Sequence, residues 1–432
     1  MDATTTSFME YEVRALLARL ARTKPFALHE AMVPAADISP QAAHAIERHM
    51  SLVRRRVRHD AEKFLAWLHS TEGLVATPAE GQRRFTLLRL RFGNALNQLD
   101  LFADALTQRS ERDTGVWLSG LDAVASDAMS LPGYYTMPPT VCYLDRGVGA
   151  AIRRARTRLP GGGKNPVAII RVPRERMIGT SIASSLVHEV GHQAAALLDL
   201  VRTLRVALQA RFSGQPTDPW QYWARWISEI VADFWSVARL GICSTLGLIG
   251  VVSLPRAFVF RIGRNDPHPF PWIRVHLSCA LGRLLYPHPQ WERLAALWDS
   301  FYPSSELPAQ QRELLDGLVG TLPDLLTLIS THQSVALRDR TLAGVMDLQQ
   351  RQPARLAARF AAWRVDPAQM YRERPSFVFA ALGQARADGN LDAQEESNLL
   401  AKLLTHWALL GTLATAERRE PASSSLTPVP AT

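Results

Sequence analysis

The chain has 432 residues, 47% hydrophobic and 21% charged, a balance that excludes a disordered polymer and allows two or three domains with a large core. The formal net charge of +9 rests almost wholly on arginine, because Lys24, Lys63, Lys164 and Lys402 are the only lysines. Arginines are spread among plentiful acids, so the charge favours acidic partners weakly and does not itself describe a nucleic-acid binder.

In chain order, residues 1–130 read as a helical region. Its opening, MDATTTSFMEYEV, lacks the basic-then-apolar pattern of a secretory signal. An amphipathic helix over 8–23 stops at Pro25. Ser39-Pro40 is a cap and first-turn pair for a helix to about 69, and Thr77-Pro78-Ala79-Glu80 is a capping box before another to about 108. A shorter helix covers 116–129. The basic run from Val53 to Arg58 has no interleaved aromatics and reads as a solvated helix face, so no nucleic-acid partner is expected.

The pattern changes at Leu131-Pro132-Gly133. Residues 140–144 and 167–172 are short β-type runs, with a basic helix near 148–158 and a Pro160-Gly161-Gly162-Gly163 turn between them. No Lys-Ser/Thr pair follows the glycines, which argues against a phosphate loop. The second strand either presents an edge that aligns an extended peptide or only packs the helix that follows.

That helix carries His188-Glu189-Val190-Gly191-His192, with Thr180 and Ser181 as candidate caps. Residues four apart share a helix face, so both imidazoles can reach one ion while Glu189 leans over a bound water. Zinc suits such a site. The helical pattern continues over 199–212 and breaks over 213–219. A second informative helix, 220–237, contains Glu229 and Asp233 on one face among Trp226, Ile227, Ile230, Val231, Phe234 and Trp235. Acids in such surroundings are usually paired or metal-bound, which makes Glu229 the candidate third ligand and Asp233 the carboxylate that holds a ligand imidazole. The alternative is two exposed acids on an amphipathic helix. The apolar run 240–254 falls short of the roughly 20 residues a membrane span needs. A buried helix is expected there and no integral membrane segment, with peripheral association left open. Cys142, Cys243 and Cys279 lie among apolar residues and argue for a reducing, cytoplasmic setting.

An H-E-x-x-H helix followed by a helical E-x-x-x-D resembles the gluzincin group of zinc metallopeptidases, over about residues 166–276. The resemblance implies His188, His192 and Glu229 as ligands, Glu189 as general base and Asp233 in support. The metzincin pattern does not fit, since its glycine and third histidine would fall on Ala195 and Leu198. Asp266-Pro267-His268-Pro269-Phe270-Pro271-Trp272-Ile273-Arg274 is similar to a segment of the branch that includes the CAAX prenyl endopeptidases. That likeness implies His268 as an oxyanion donor and Arg274 as a neighbouring support. The branch is normally membrane-embedded, and this chain lacks its spanning helices.

Beyond residue 290, helices are expected over 291–301, 309–316, 323–330, 336–350 and 354–363. The Asp388 segment is not a calcium loop, because Ala393 and Leu399 stand where glycine and glutamate are required. Asp392 and Glu395 instead cap a last helix, and residues 418–432 read as a disordered tail.

The expected fold is mainly α (α+β): a zincin-like core with a small sheet (131–290), flanked by helical regions 1–130 and 291–417. The expected function is zinc-dependent hydrolysis of a peptide or protein substrate. The rival is an inactive helical scaffold with a structural or degenerate zinc site, and a weaker one a nucleic-acid-associated helical protein. Oligomeric state is left open.

Overall fold

The long N-terminal helices begin where their caps dictate. Ser39 Oγ accepts from the amide of Ala42 and Thr77 Oγ1 from that of Glu80, each followed by a proline, which has no N–H in need of an acceptor. A computed structural model describes residues 1–23, 33–145, 149–174, 179–214, 218–263 and 266–419, without the side chains of Arg112 and 416–419. Helices α1 (Ala3–Arg22), α2 (Pro40–Leu68), α3 (Thr71–Val75) and α4 (Pro78–Thr107) open the chain, and α5 (Arg112–Met129) follows. Val13, Leu16, Phe64, Leu68, Phe85 and Phe92 give α1, α2 and α4 a small core of their own. A second cluster joins Ile46 and Phe102 to Val141 and Ile169 of the sheet.

The sheet has three strands, β1 (Thr140–Asp145), β2 (Ala151–Arg153) and β3 (Ala168–Pro173), in the order β1-β3-β2. Strand β1 runs parallel to β3 with Cys142 opposite Ile170, and β2 runs antiparallel with Ile152 opposite the same residue. The expected basic helix near 148–158 is therefore a strand and a turn, apart from residue 148, which lies outside the described residues. Pairing of Ile152 outweighs the helix propensity of the arginines. Arg156 adopts φ 66°, and Asn165 Nδ2 donates to the carbonyls of Arg153 and Arg154, closing the turn. Gly161, Gly162 and Gly163 all have positive φ, as that turn requires. Strand β3, which directly precedes the motif helix, is central; the edge on that side is β2.

The rest is helical. The described elements are α6 (Thr180–Leu197), α7 (Leu200–Gln209), α8 (Pro219–Leu240), α9 (Ile242–Val252), α10 (Arg256–Val259), α11 (Pro271–Leu285), α12 (Gln290–Phe301), α13 (Ala309–Ser330), α14 (Pro353–Val365), α15 (Pro375–Ala387) and α16 (Ala393–Arg419). One continuous apolar core links them to α5 and the sheet, with Trp223, Trp235, Trp291 and Trp298 wholly buried in it. All three cysteines are buried and unpaired. No helix among the described residues is long and apolar enough to cross a membrane.

Several local expectations are corrected. The helix expected over 199–212 is broken from α6 at Asp199, whose φ of 54° turns the chain into α7. Helix α13 runs unbroken through Pro323, joining two expected pieces. Residues 336–350 form short 3-10 turns, because Arg338 and Asp339 are left-handed while Leu337, Leu342 and Met346 are drawn into the core. Helix α15 had no counterpart in the sequence pattern. Asp392 Oδ1 accepts the amide of Glu395 at 2.8 Å and so caps α16, which continues to Arg419. Of the expected disordered tail, residues 420–432 lie outside the described residues.

Candidate metal centre

Helix α6 crosses α8 at a distance only glycine allows. A Cβ on Gly191 would lie 2.8 Å from Ala232 Cα and 2.9 Å from its carbonyl oxygen. The fourth residue of the motif is thus the contact that brings the acids of α8 against the histidines of α6. On another face of α6, Gly247 of α9 fits against Ser184, where a Cβ would approach to 2.3 Å. Neither Thr180 nor Ser181 caps α6. Gly179 occupies the cap position without a side-chain bond, and Glu396 of α16 accepts the Thr180 amide at 2.6 Å. This carboxylate also suits the positive end of the helix dipole.

Two turns into α6, His188 and His192 face Glu229. His188 Nε2 lies 3.2 Å from Glu229 Oε2, and His192 Nε2 lies 3.3 Å from Oε1. One ligand atom from each of the three residues can be chosen so that all lie within 4.8 Å, a group able to hold a metal ion. Bond lengths near 2.0–2.1 Å in a tetrahedron put neighbouring donors about 3.3 Å apart, which is the distance from each imidazole Nε2 to the Glu229 oxygen it faces.

The surroundings orient these donors. Asp233 Oδ1 lies 2.7 Å from His188 Nδ1, so it accepts the proton there and leaves Nε2 facing Glu229. Arg274 from α11 donates to both Asp233 oxygens, at 2.8 and 2.9 Å, and its Nη2 lies 3.8 Å from Glu229 Oε2. Ser228 Oγ is 3.3 Å from His192 Nδ1. The next residue, Gln193, accepts the Ala155 amide at 2.7 Å and ties the chain beyond β2 to the motif helix. Glu189 is 8% exposed, and no hydrogen bond or ion pair among the described residues engages its carboxylate. His268 stands at the rim, half exposed, with Nδ1 2.9 Å from Asp266 Oδ1 and Nε2 3.5 Å from Glu229 Oε2.

The charge balance of the cluster leaves room for a cation. Glu189, Glu229 and Asp233 are all buried, and Arg274 is the one permanent cation among them. Three carboxylates against one guanidinium leave a deficit of two, the charge of a divalent ion. Without an ion, the deficit falls on a ligand. Burial pulls the His188 pKa down, but the charge and hydrogen bonds of Asp233 and Glu229 override it and raise it to about 9. Burial pushes Glu229 up, and hydrogen bonds from His188 and His192 outweigh it, leaving the carboxyl far below its ordinary range. Asp233 is likewise lowered to about 2, where burial is outweighed by Arg274 and His188.

Six of the seven sequence-derived residues, His188, His192, Glu229, Asp233, His268 and Arg274, are linked by contacts of 3.8 Å or less, and Glu189 follows His188 on the same helix, its charge acting on Arg274. Ser228, Gln193 and Glu396 were not singled out from sequence. Ser228 directly precedes Glu229 and Gln193 directly follows His192, so adjacency to the motif could have signalled both. Glu396 lies 216 positions from the amide it caps, and no local signal marks it. Compared with family models, curated proteins and solved structures, the chain matches none.

Proposed function

We propose that the chain is a zinc-dependent peptidase. The observation that carries this reading is the pair of imidazole nitrogens facing the two oxygens of Glu229, with the unengaged Glu189 carboxylate beside them. Two imidazoles and a carboxylate are a donor set that zinc accepts while keeping a position open, and the chain's thiols are buried outside the cluster. Zinc held by His188, His192 and Glu229 would supply Lewis acidity and lower the pKa of a water to about 7.

The remaining work falls to the side chains. Glu189 takes the proton of the attacking water and returns it to the leaving nitrogen as the amide C–N bond breaks. Asp233 keeps the His188 proton on Nδ1, so that Nε2 presents its lone pair. Arg274 balances Asp233 and keeps it ionised. His268, whose Nε2 faces the site from the rim, would donate from that nitrogen to the carbonyl oxygen as it gains charge.

A second reading, an inactive interaction protein in which metal staples α6 to α8, draws on the low exposure of the donors. The side chains of His188, His192 and Glu229 are only 12%, 14% and 9% exposed, whereas a catalytic site must admit substrate. Glu189→Gln separates the two. The peptidase reading expects zinc content unchanged and peptide hydrolysis down about 10³-fold, within the range for loss of a general base. Full hydrolysis by the variant would overturn Glu189 as the base, and no hydrolysis by the zinc-loaded parent across varied peptides would favour the staple.

A further inference from the structure

Beside the metal centre, a groove of about 570 Å³ is walled by α6, α7 and the chain that leaves β2. Its position follows from two contacts described above. Ser228, which lines it, reaches back to the ligand His192, and Gln193 pins the Ala155 amide, fixing Arg154 at the groove wall. The left-handed Asp199 swings α7 aside and brings Arg202 and Arg205 to the opposite wall. The groove therefore holds three guanidinium groups against one acid, Asp199, and Arg202 already engages both oxygens of that acid. Arg205 uses only Nε, toward the Ala224 carbonyl at 3.3 Å. The half-buried Arg154 guanidinium has no hydrogen bond or ion pair among the described residues. Ala195, Ala196 and Val206 also line the groove and offer apolar surface to an aliphatic stem.

We infer that this groove is a substrate subsite selecting a carboxylate, so that the peptides handled at the metal centre carry an acidic side chain or a free C-terminus beside the reacting bond. The inference rests on the peptidase reading above. Arg154 and Arg205 present planar forks that match a carboxylate in two hydrogen bonds; Arg205 is exposed, and the half-buried Arg154 is the less screened of the two. None of the described residues that line the groove is aromatic, so they offer no stacking platform of the kind that a single-stranded nucleic acid would use.

The test measures binding, so it does not depend on turnover. Fluorescein-labelled peptides of alternating Glu and Ala, and of alternating Gln and Ala, each with free and amidated C-termini, are titrated against zinc-loaded Glu189→Gln protein by anisotropy. The Glu peptide is expected to bind about tenfold more tightly than the Gln peptide, the scale of one charge-assisted contact. Adding Arg154→Gln should bring the ratio near one, and adding Arg89→Gln, on the exposed face of α4, should leave it unchanged. A loss of binding on amidation in both peptides means that the carboxylate read is the C-terminus; a Glu-over-Gln preference that persists in the amidated pair means that it is the side chain. Equal binding of all four peptides, a preference that survives Arg154→Gln with Arg205→Gln, or displacement of the Glu peptide by a single-stranded oligonucleotide at lower concentration would overturn the inference. Hydrolysis by the parent protein reports separately on the peptidase reading. Intact hydrolysis with equal binding overturns the subsite alone, and a preference without hydrolysis supports the subsite and overturns the peptidase.

Discussion

Acids meet cations on the first helices and on α8 in opposite settings. Glu10 reaches Arg14 at 2.7 Å on α1 and Glu80 reaches Arg84 at 3.1 Å on α4, with the arginine side chains 66% and 37% exposed. On α8 the side chains of Glu229 and Asp233 are 9% and 7% exposed and face histidines and Arg274. Water and salt screen the first kind of pair, which folds equally well without it. The second kind sits where an unbalanced charge has no such refuge, so its partners are obligatory and the whole cluster must reach a charge it can bear. The geometry of the pairs is similar; their surroundings decide what they do.

That contrast predicts unequal costs for similar substitutions. Asp233→Ala leaves Arg274 buried without its main partner and frees the His188 ring. Denaturant titration should show a loss of about 3–5 kcal/mol, while Glu80→Ala, which removes a first-turn acid and an exposed pair, costs less than about 1 kcal/mol. A comparable loss from both would erase the distinction. Gly191→Ala forces the backbones of α6 and α8 apart. It should cost about 1–3 kcal/mol and weaken zinc binding at the same time, because Glu229 moves with α8. Destabilisation with zinc affinity intact would mean that the helix contact does not set the site. A smaller effect than at Gly191 is expected at Glu396→Ala, which removes a cap from α6 and should cost about 0.5–2 kcal/mol, with Glu396→Gln retaining most of the stability through its carbonyl.

The same contrast explains how much was legible in the sequence. His188, His192, Glu229 and Asp233 could be found because acids and paired histidines are conspicuous inside apolar helices, and helical spacing alone puts each pair on one face. The caps at Ser39, Thr77 and Asp392 are local and were readable for that reason. Strand β2 was not, because an arginine-rich stretch becomes a strand only when Ile152 finds Ile170 across the sheet. Residues 336–350 have helix-forming composition, and the burial of Leu337, Leu342 and Met346 overrides it. The Glu396 cap, the close approach at Gly191 and the Arg154 groove all depend on which elements become neighbours, information that no local pattern carries.

The most direct test of the account is metal analysis of the purified protein, prepared without chelators, beside His192→Ala and Glu229→Ala. The account predicts one zinc per chain, lost in both variants. Zinc absent from the parent, or retained without Glu229, would contradict it.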